Sequence, residues 1–381
     1  MASKVEFLLT AVAFIMVIIL PISQLIIGQI SSLEHWNSIQ TIEKEAELLA
    51  YEILNSPGEP INWGLTRLTS FPDKFGLAKE SSRLILDSNK VARLDIRNPY
   101  YLPYDTVDQN GLLISPSQGN LKNILDLEKM DIQISILPYF NLSLRKDIDR
   151  IVLKTTDWNN VPLPQVNISL LAVNETNNEV LRRNLTTNRF GEASLNLTDL
   201  EGKGNIILLF AIARLGNIFS YNYMYVVFTP QTFDNNMLRA SILESQDPGH
   251  LNVTVYVNGQ PSQLKATIFY LNETGSFTFN SLESPTNSTG PSGWYKYSWS
   301  EVLVPSNLPV FLVVNVLRDG IRGTGFYSLP SIIGFYSNKE SVTNDPLPYG
   351  EIRENARHVV VISRLVVIRD NVYRVVVKCY Y

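Results

Sequence analysis

Cysteine and histidine are almost absent from this chain of 381 residues. The single cysteine, Cys379, excludes an internal disulfide, so the fold must be held together by packing alone. The histidines His35, His250 and His358 form no i,i+4 pair and no HExxH motif, which are the usual sequence signs of a zinc site. The chain also has no glycine-rich phosphate loop, no DxDxDG calcium loop and no GxSxG element. These absences predict a protein that is not an enzyme and has no catalytic residues, no metal site and no cofactor.

Charge is scarce as well. Only 18% of the residues are charged, and the formal net charge of −4 excludes a nucleic-acid binder on electrostatic grounds. Hydrophobic residues make up 45% of the chain, which is ample for several packed domains.

An uncharged run extends from Phe7 to Ile30 and is longer than the roughly 20 residues that cross a bilayer as a helix. No small-x-small cleavage site follows it, so a retained membrane helix is favoured over a cleaved signal peptide, and Pro21 is expected to kink that helix. Lys4 precedes the run and Glu34 follows it, which places the N-terminus in the cytoplasm. The sequence therefore predicts a single-pass protein of the cell membrane whose C-terminal domains are extracellular.

An amphipathic helical pattern continues from this run to a stop signal at Asn55–Gly58. Its apolar positions recur every three or four residues and are Ile30, Leu33, Trp36, Ile39, Ile42, Ala46, Leu49 and Ile53. We expect Leu49 and Ile53 to be covered in a monomer, and Ile30, Leu33 and Trp36 to be exposed and available for lateral assembly. Residues 1–57 are thus assigned to a transmembrane plus amphipathic helix.

The residues after the helix carry a recognisable pattern. Ser56–Gly64 reads SPGEPINWG, Phe75–Ala78 reads FGLA, and Leu86–Asp87 is followed by Lys90–Leu94. In this order the segments resemble archaeal type IV pilin-like cell-surface proteins, which carry class III signal peptides. The resemblance implies a surface protein that is membrane-anchored or filament-forming, with residues 58–145 as its head and linker, and with copies of itself or other pilin-like subunits as partners beside the lipid bilayer.

The N-terminus departs from that family. Glu6 stands where pilins carry a glutamate near the start of the mature chain, but no convincing cleavage dipeptide precedes it. A permanently anchored protein and a processed filament subunit therefore remain alternatives.

Two β-rich regions follow. Alternating strands with the run Val161–Leu170 and the segment Thr186–Ala193 are similar to a bacterial Ig-like or carboxypeptidase-regulatory-like sandwich, assigned to residues 146–230. Residues 235–381 are assigned to a second β-rich sandwich, with a hairpin about Asn258-Gly259 and another about Asp370-Asn371. Modules of the first kind serve as spacers or adhesive units on cell surfaces.

Two sets of residues are candidate surface features. Eight asparagines lie in N-x-[ST] sequons and are candidate N-glycosylation sites: Asn141, Asn167, Asn174, Asn184, Asn196, Asn252, Asn272 and Asn287. Tyr295, Tyr297 and Trp299 alternate along one strand, and they would either stack on a sugar ligand or fill a core.

The predicted fold class is mainly β with a long N-terminal α-helix, in which a membrane-spanning helix continues into an amphipathic one and is followed by two stacked Ig-like β-sandwich domains. The predicted function is that of a non-enzymatic, membrane-anchored or filament-forming surface protein, a glycoprotein if its sequons are used. The alternative is an adhesin or glycan-binding protein on a single-pass anchor. Exposed aromatic rings in the last domain would favour the alternative.

Overall fold

A computed structural model describes residues 24, 29, 39–65, 74–80, 82–94, 131–174, 179–228, 237–272, 277–283, 285–289, 293–304, 307–330, 349–350 and 358–381. The chain forms two compact units, residues 1–50 and residues 51–381. The described part is mainly β, as the sequence predicts.

The membrane run falls almost entirely outside the described residues, as do the residues assigned to the membrane and assembly helix: Glu6, Pro21, Ile30, Leu33 and Trp36. Among the residues that are described, no helix combines the length and apolarity that a bilayer crossing requires. The single-pass anchor therefore stays a prediction.

Helix α1 is described over residues 39–55. Glu43, Glu45, Glu47 and Glu52 are exposed on its polar face, whereas Leu49 and Ile53 are buried, as expected. The helix ends before Pro57, where Ser56 N donates to Glu52 O at 2.8 Å.

Strands, one short α-helix and a 3₁₀ helix at Leu197–Asp199 make up the rest of the described elements. Their bounds are β1 Asp131–Pro138, β2 Asn141–Lys146, β3 Arg150–Thr156, β4 Asn167–Asn174, β5 Glu179–Thr186, β6 Glu192–Asn196, β7 Ile206–Leu215, β8 Ile218–Val227, β9 Leu238–Glu244, β10 His250–Asn258, β11 Gln263–Leu271, β12 Phe277–Leu282, β13 Thr286–Thr289, β14 Trp294–Leu303, β15 Val310–Arg318, β16 Ile321–Leu329, β17 Tyr349–Gly350, β18 Val359–Ile368 and β19 Asn371–Tyr380, with helix α2 at Ser88–Ala92.

The first sandwich packs the sheet β2-β3-β6 on the sheet β5-β4-β7-β8, and all its strand pairs are antiparallel. Its core is built from alternate residues that point between the sheets, including the buried Val166, Ile168 and Leu195. Ala193 is half-buried against the same core.

The second sandwich packs the sheet β13-β14-β10-β9 on the sheet β12-β11-β15-β16. Here the predicted hairpin about Asn258-Gly259 is wrong, because β10 and β11 belong to different sheets. Gly259 does adopt a positive φ of 81°, but Pro261 interrupts the donors that a hairpin ladder needs. The apolar faces of β10 and β11 instead meet across one core, so the turn is a sandwich corner.

The two sandwiches pack face to face, with aromatic rings between them. Phe210 of β7 lies 4.4 Å from Phe311 and 5.3 Å from Phe326 between ring centroids, while Tyr221 and Tyr223 of β8 lie 4.6 Å and 4.0 Å from the same two phenylalanines, respectively. The sheets that carry these rings are therefore covered on both faces. The result is a four-layer stack of sheets with an aromatic middle.

A separate sheet, β17-β1-β19-β18, contains the C-terminal hairpin. The hairpin forms as predicted, but its partner is β1 and not the strands of the second sandwich. Its turn residues are Arg369 and Asp370, at φ 49° and 55°, since Ile368 pairs with Asn371. The predicted turn was one residue too late, and Asn371 has another role.

Three side chains join this sheet and the preceding head to the sandwiches. Asn371 accepts from Phe219 N at 2.9 Å and donates to Phe219 O at 3.0 Å, so it pairs with the free edge of β8. Asn89 pairs in the same manner with the backbone of Glu244 on the edge strand β9. Arg369 binds the Glu244 carboxylate and donates to Leu308 O at 3.1 Å. The hairpin turn thus holds both sandwiches at once.

The head segments quoted for the resemblance converge on Lys90, which is fully buried. Its ammonium donates to Pro57 O at 2.7 Å and to Ala78 O at 2.9 Å, and it lies 5.9 Å from the Trp63 ring centroid. Trp63 Nε1 in turn donates to Gly76 O at 3.0 Å. Burial lowers the pKa of Lys90, the opposing attraction of Asp87 notwithstanding.

Candidate functional site

The aromatic residues proposed to stack on a ligand do not form an open surface. Tyr297 and Trp299 are only 8% and 7% exposed and belong to the core of the second sandwich, against which Tyr295 is half-buried. The burial of these rings favours the interpretation that they fill a core. The alternate residues of the same strand, Lys296 and Ser298, take the outward positions.

A different pair of loops presents apolar side chains to solvent. The first, which we call the Trp158 loop, spans residues 157–163 between β3 and β4. Asp157 Oδ1 accepts hydrogen bonds from Asn159 N at 2.9 Å and from Val161 N at 2.8 Å, and Asn160 adopts a positive φ of 63°. These bonds fix the turn between the two strands.

The second loop, the Phe190 loop, spans residues 187–191 between β5 and β6. It has the same hydrogen-bonding pattern, because Asn188 Oδ1 accepts hydrogen bonds from Phe190 N at 2.8 Å and from Glu192 N at 3.1 Å. Gly191, at φ 70°, could not carry a side chain, since a Cβ there would lie 2.5 Å from Thr155 O.

Two threonines tie the loops to each other at the end of β3. Thr155 Oγ1 donates to Leu163 O at 2.8 Å, and Thr187 Oγ1 donates to the same carbonyl at 2.9 Å. Thr155 N also donates to Gly191 O at 2.8 Å. The Trp158 and Phe190 loops therefore form one hydrogen-bonded platform on a rigid sandwich.

The platform exposes large apolar side chains. Trp158 is 42% exposed, and Val161 and Phe190 are each 54% exposed. Arginines accompany both rings: the Arg374 guanidinium lies 3.0 Å from the Trp158 ring centroid, and that of Arg189 lies 4.6 Å from the Phe190 ring. Trp and Arg are enriched in binding hot spots, and Phe is enriched at protein interfaces in general.

Sequence reasoning assigned no function to this platform. It used Val161–Leu170 and Thr186–Ala193 only as parts of a sandwich pattern. The overlooked signal was the presence of Trp158 and Phe190 inside turn segments, where no core position is available.

The described residues hold no group of His, Cys, Asp and Glu side chains that could bind a metal ion. The thiol of Cys379 is buried in β19, and burial raises its pKa to about 12, which makes it a poor nucleophile. Burial also raises the pKa of Tyr373.

The sequon asparagines whose side chains are described are all exposed or half-buried: Asn141, Asn167, Asn174, Asn184, Asn196, Asn252 and Asn272. Asn287 lies in β13. The fully buried asparagines Asn89 and Asn371 stand outside any sequon. Surface placement makes these sequons accessible, and their glycosylation remains a prediction.

No family model and no curated protein matches the chain. Among solved structures, it is similar to the crystal structure of invasin, a bacterial integrin-binding protein, at 9% identity and a TM-score of 0.16. The match covers 65% of this chain and 54% of the invasin chain. The chain thus spans about half the length of that structure.

Proposed function

We propose that this chain is a non-enzymatic, cell-surface binding protein of the adhesin type, and that the platform formed by the Trp158 and Phe190 loops contacts its partner. The observation that carries the proposal is the exposure of Trp158, Val161 and Phe190 on loops whose backbones are already fixed.

Both the area and the rigidity of the platform support binding. An exposed aromatic side chain that becomes buried contributes roughly 1–3 kcal/mol through its apolar area. Loops that are ordered before binding avoid the cost of ordering their backbones at the interface, which would add to the cost of about 0.5–1.5 kcal/mol for each side chain that must be immobilised. Three such side chains on one platform suit a protein or glycan surface as the partner.

The proposed location is the outside of the cell, where the uncharged run Phe7–Ile30 would anchor the chain in the membrane. We further propose a pilin-like head, because the segments behind that resemblance converge in space around Lys90. The packing of these segments leaves no space for a side chain at Gly76, since a Cβ at this position would collide with Ser56 O. Filament assembly through Ile30, Leu33 and Trp36 belongs to the same proposal.

The adhesin proposal is tested on whole cells. Cells that display the Trp158→Ser, Phe190→Ser double variant should attach to surfaces and to each other much less than cells that display the unaltered chain at the same density. Phe279→Ser is the matched control, because Phe279 is 45% exposed on the second sandwich. Equal attachment by both variants would remove the platform from the binding site.

The anchor and its processing need a separate measurement. Mass spectrometry of the native N-terminus shows whether the segment before Glu6 is cut, and protease added to intact cells should remove everything beyond about Glu34. Charge substitution at Leu33 or Trp36 should abolish self-association without unfolding the sandwiches. Protected sandwich domains or an unchanged oligomer would reject the anchor orientation or the assembly helix, respectively.

A further inference from the structure

The outer face of the sheet β13-β14-β10-β9 has an unusual row of side chains. The inward positions of β10 and β14 fill the core of the second sandwich, so Tyr256 and Lys296 point to the opposite face. Tyr256 pairs across the sheet with Lys296 on one side and with Arg239 on the other. Cross-strand neighbours have Cβ atoms about 4.5–5.5 Å apart, so a tyrosine stands between two cations.

A second row, of hydroxyl groups, runs beside the first. Thr254 pairs with Ser298, and Ser298 pairs with Thr286 of the edge strand β13. The Thr286 hydroxyl is held in place, since it donates to Ser298 O at 3.0 Å. Ser241, on the other side of Thr254, is buried, so the open part of the face extends from Arg239 and Tyr256 towards β13.

A surface groove of about 400 Å³ follows these hydroxyls and includes Lys296, Thr286 and Asn252 in its walls. A register shift between Leu251 and Val253 opens the sheet at one end of the groove. There Glu301, at φ 53°, donates its backbone N–H to Asn252 Oδ1 at 3.3 Å.

Neither Arg239 nor Lys296 forms an ion pair among the described residues, although acidic residues outnumber basic ones in the whole chain, 36 to 32. Glu301 at the end of the groove accepts a hydrogen bond from Ser245 Oγ at 2.7 Å, which holds its carboxylate there. Arg239 and Lys296 lie two strands apart, about 9–10 Å, so one linear ligand can reach both.

We infer that this face binds an acidic oligosaccharide, one that carries carboxylates on some of its sugar units. Lys296 and Arg239, on either side of Tyr256, pair with carboxylates, and Thr254, Ser298 and Thr286 hydrogen-bond sugar hydroxyls. The site lies on the second sandwich and is distinct from the Trp158 and Phe190 loops, so neither depends on the other.

The test uses the full chain in a mild nonionic detergent, produced in a host that adds no N-glycans, with an oligogalacturonate of defined length as the probe. Calorimetry should show binding at low ionic strength that weakens as salt is added. The carboxyl-reduced oligomer of the same length should bind far less.

Variants locate the site. Lys296→Gln and Arg239→Gln should each weaken binding about two- to fivefold, which is the usual effect of one exposed ion pair, and together about tenfold. Lys203→Gln removes the same charge from an exposed position on the first sandwich and should leave affinity unchanged. Failure of the unaltered chain to bind the probe, equal binding of the neutral oligomer, or equal weakening by Lys203→Gln would each overturn the inference. Adhesion by the loop variants is unaffected by any of these outcomes.

Discussion

Replacing Asn371 with alanine should loosen the contact between the C-terminal hairpin and the first sandwich. Asn371 is fully buried, and its amide satisfies both the N–H and the C=O of Phe219 on the edge strand β8. Alanine removes both hydrogen-bond partners. The space that it leaves is too confined for bulk water to replace the two hydrogen bonds with the same geometry. The backbone of Phe219 would then be buried without hydrogen bonds.

The expected magnitude follows from these two groups. A buried donor or acceptor left without a partner costs about 1–3 kcal/mol, so the pair costs about 2–6 kcal/mol. At 1.4 kcal/mol for each factor of ten, the local opening constant at Phe219 should rise by about thirtyfold to twenty-thousandfold.

Hydrogen exchange measures this opening directly, because the Phe219 amide hydrogen is itself the one donated to Asn371. Mass spectrometry of peptides that cover β8 should show faster exchange at Phe219 in Asn371→Ala. Asn217→Ala is the control, since Asn217 is exposed in the neighbouring turn between β7 and β8 and should change local stability by less than about 0.5 kcal/mol.

Two results would refute the reasoning. Exchange at Phe219 that stays as slow in Asn371→Ala as in the unaltered chain would mean that other contacts hold the hairpin turn to β8. Equal acceleration in Asn217→Ala would mean that β8 opens for reasons unrelated to the asparagine clamp.

Further predictions concern three other buried residues. Because burial raises the pKa of Cys379 to about 12, thiol reagents at mildly alkaline pH should modify it only on unfolding, and rapid labelling of the native chain would contradict its burial. Because burial lowers the pKa of Lys90 below 10.5, the unfolded chain binds that proton more tightly and stability rises with pH up to that value. The Tm difference between the unaltered chain and Lys90→Met should therefore grow as pH is raised towards 10.5 in a thermal scan. Phe210→Ala should cost about 3–5 kcal/mol in urea unfolding and separate the transitions of the two sandwiches, whereas Phe190→Ala should leave stability within about 0.5 kcal/mol.

Much of the strand content follows from the sequence. The alternation of apolar residues in Leu251–Val257 and the buried run Val310–Val316 specify strands, because one face or both must leave water. The C-terminal hairpin can also be predicted from the sequence, since two apolar strands flank a short turn whose two residues adopt positive φ.

The sequence does not show in the same way which strands pair with each other. An Asn-Gly pair such as Asn258-Gly259 permits a tight turn, but it does not decide whether the next strand joins the same sheet or the facing one. That choice depends on which apolar faces meet across the core, and a sequence alone does not display this long-range packing.

The direction of the aromatic side chains could not be predicted for a related reason. In the string Gly293–Trp299, alternation shows that Tyr297 and Trp299 share a face with Tyr295, but the direction of that face is set by the partner sheet. Aromatic residues point inward there, and Lys296 points outward. The platform loops went unnoticed because exposure of Trp158 is a property of the folded surface.

The aromatic packing between the sandwiches determines how the protein would carry a mechanical load. A surface protein built as beads on a string lengthens under tension one bead after another, because each joint between beads yields first. Here the rings of Phe210, Phe311 and Phe326 interlock neighbouring sheets, and a pull on the Trp158 loop must shear them together. We expect the two sandwiches to resist tension as a single block with one rupture force, and the loops to keep a fixed direction relative to the second sandwich.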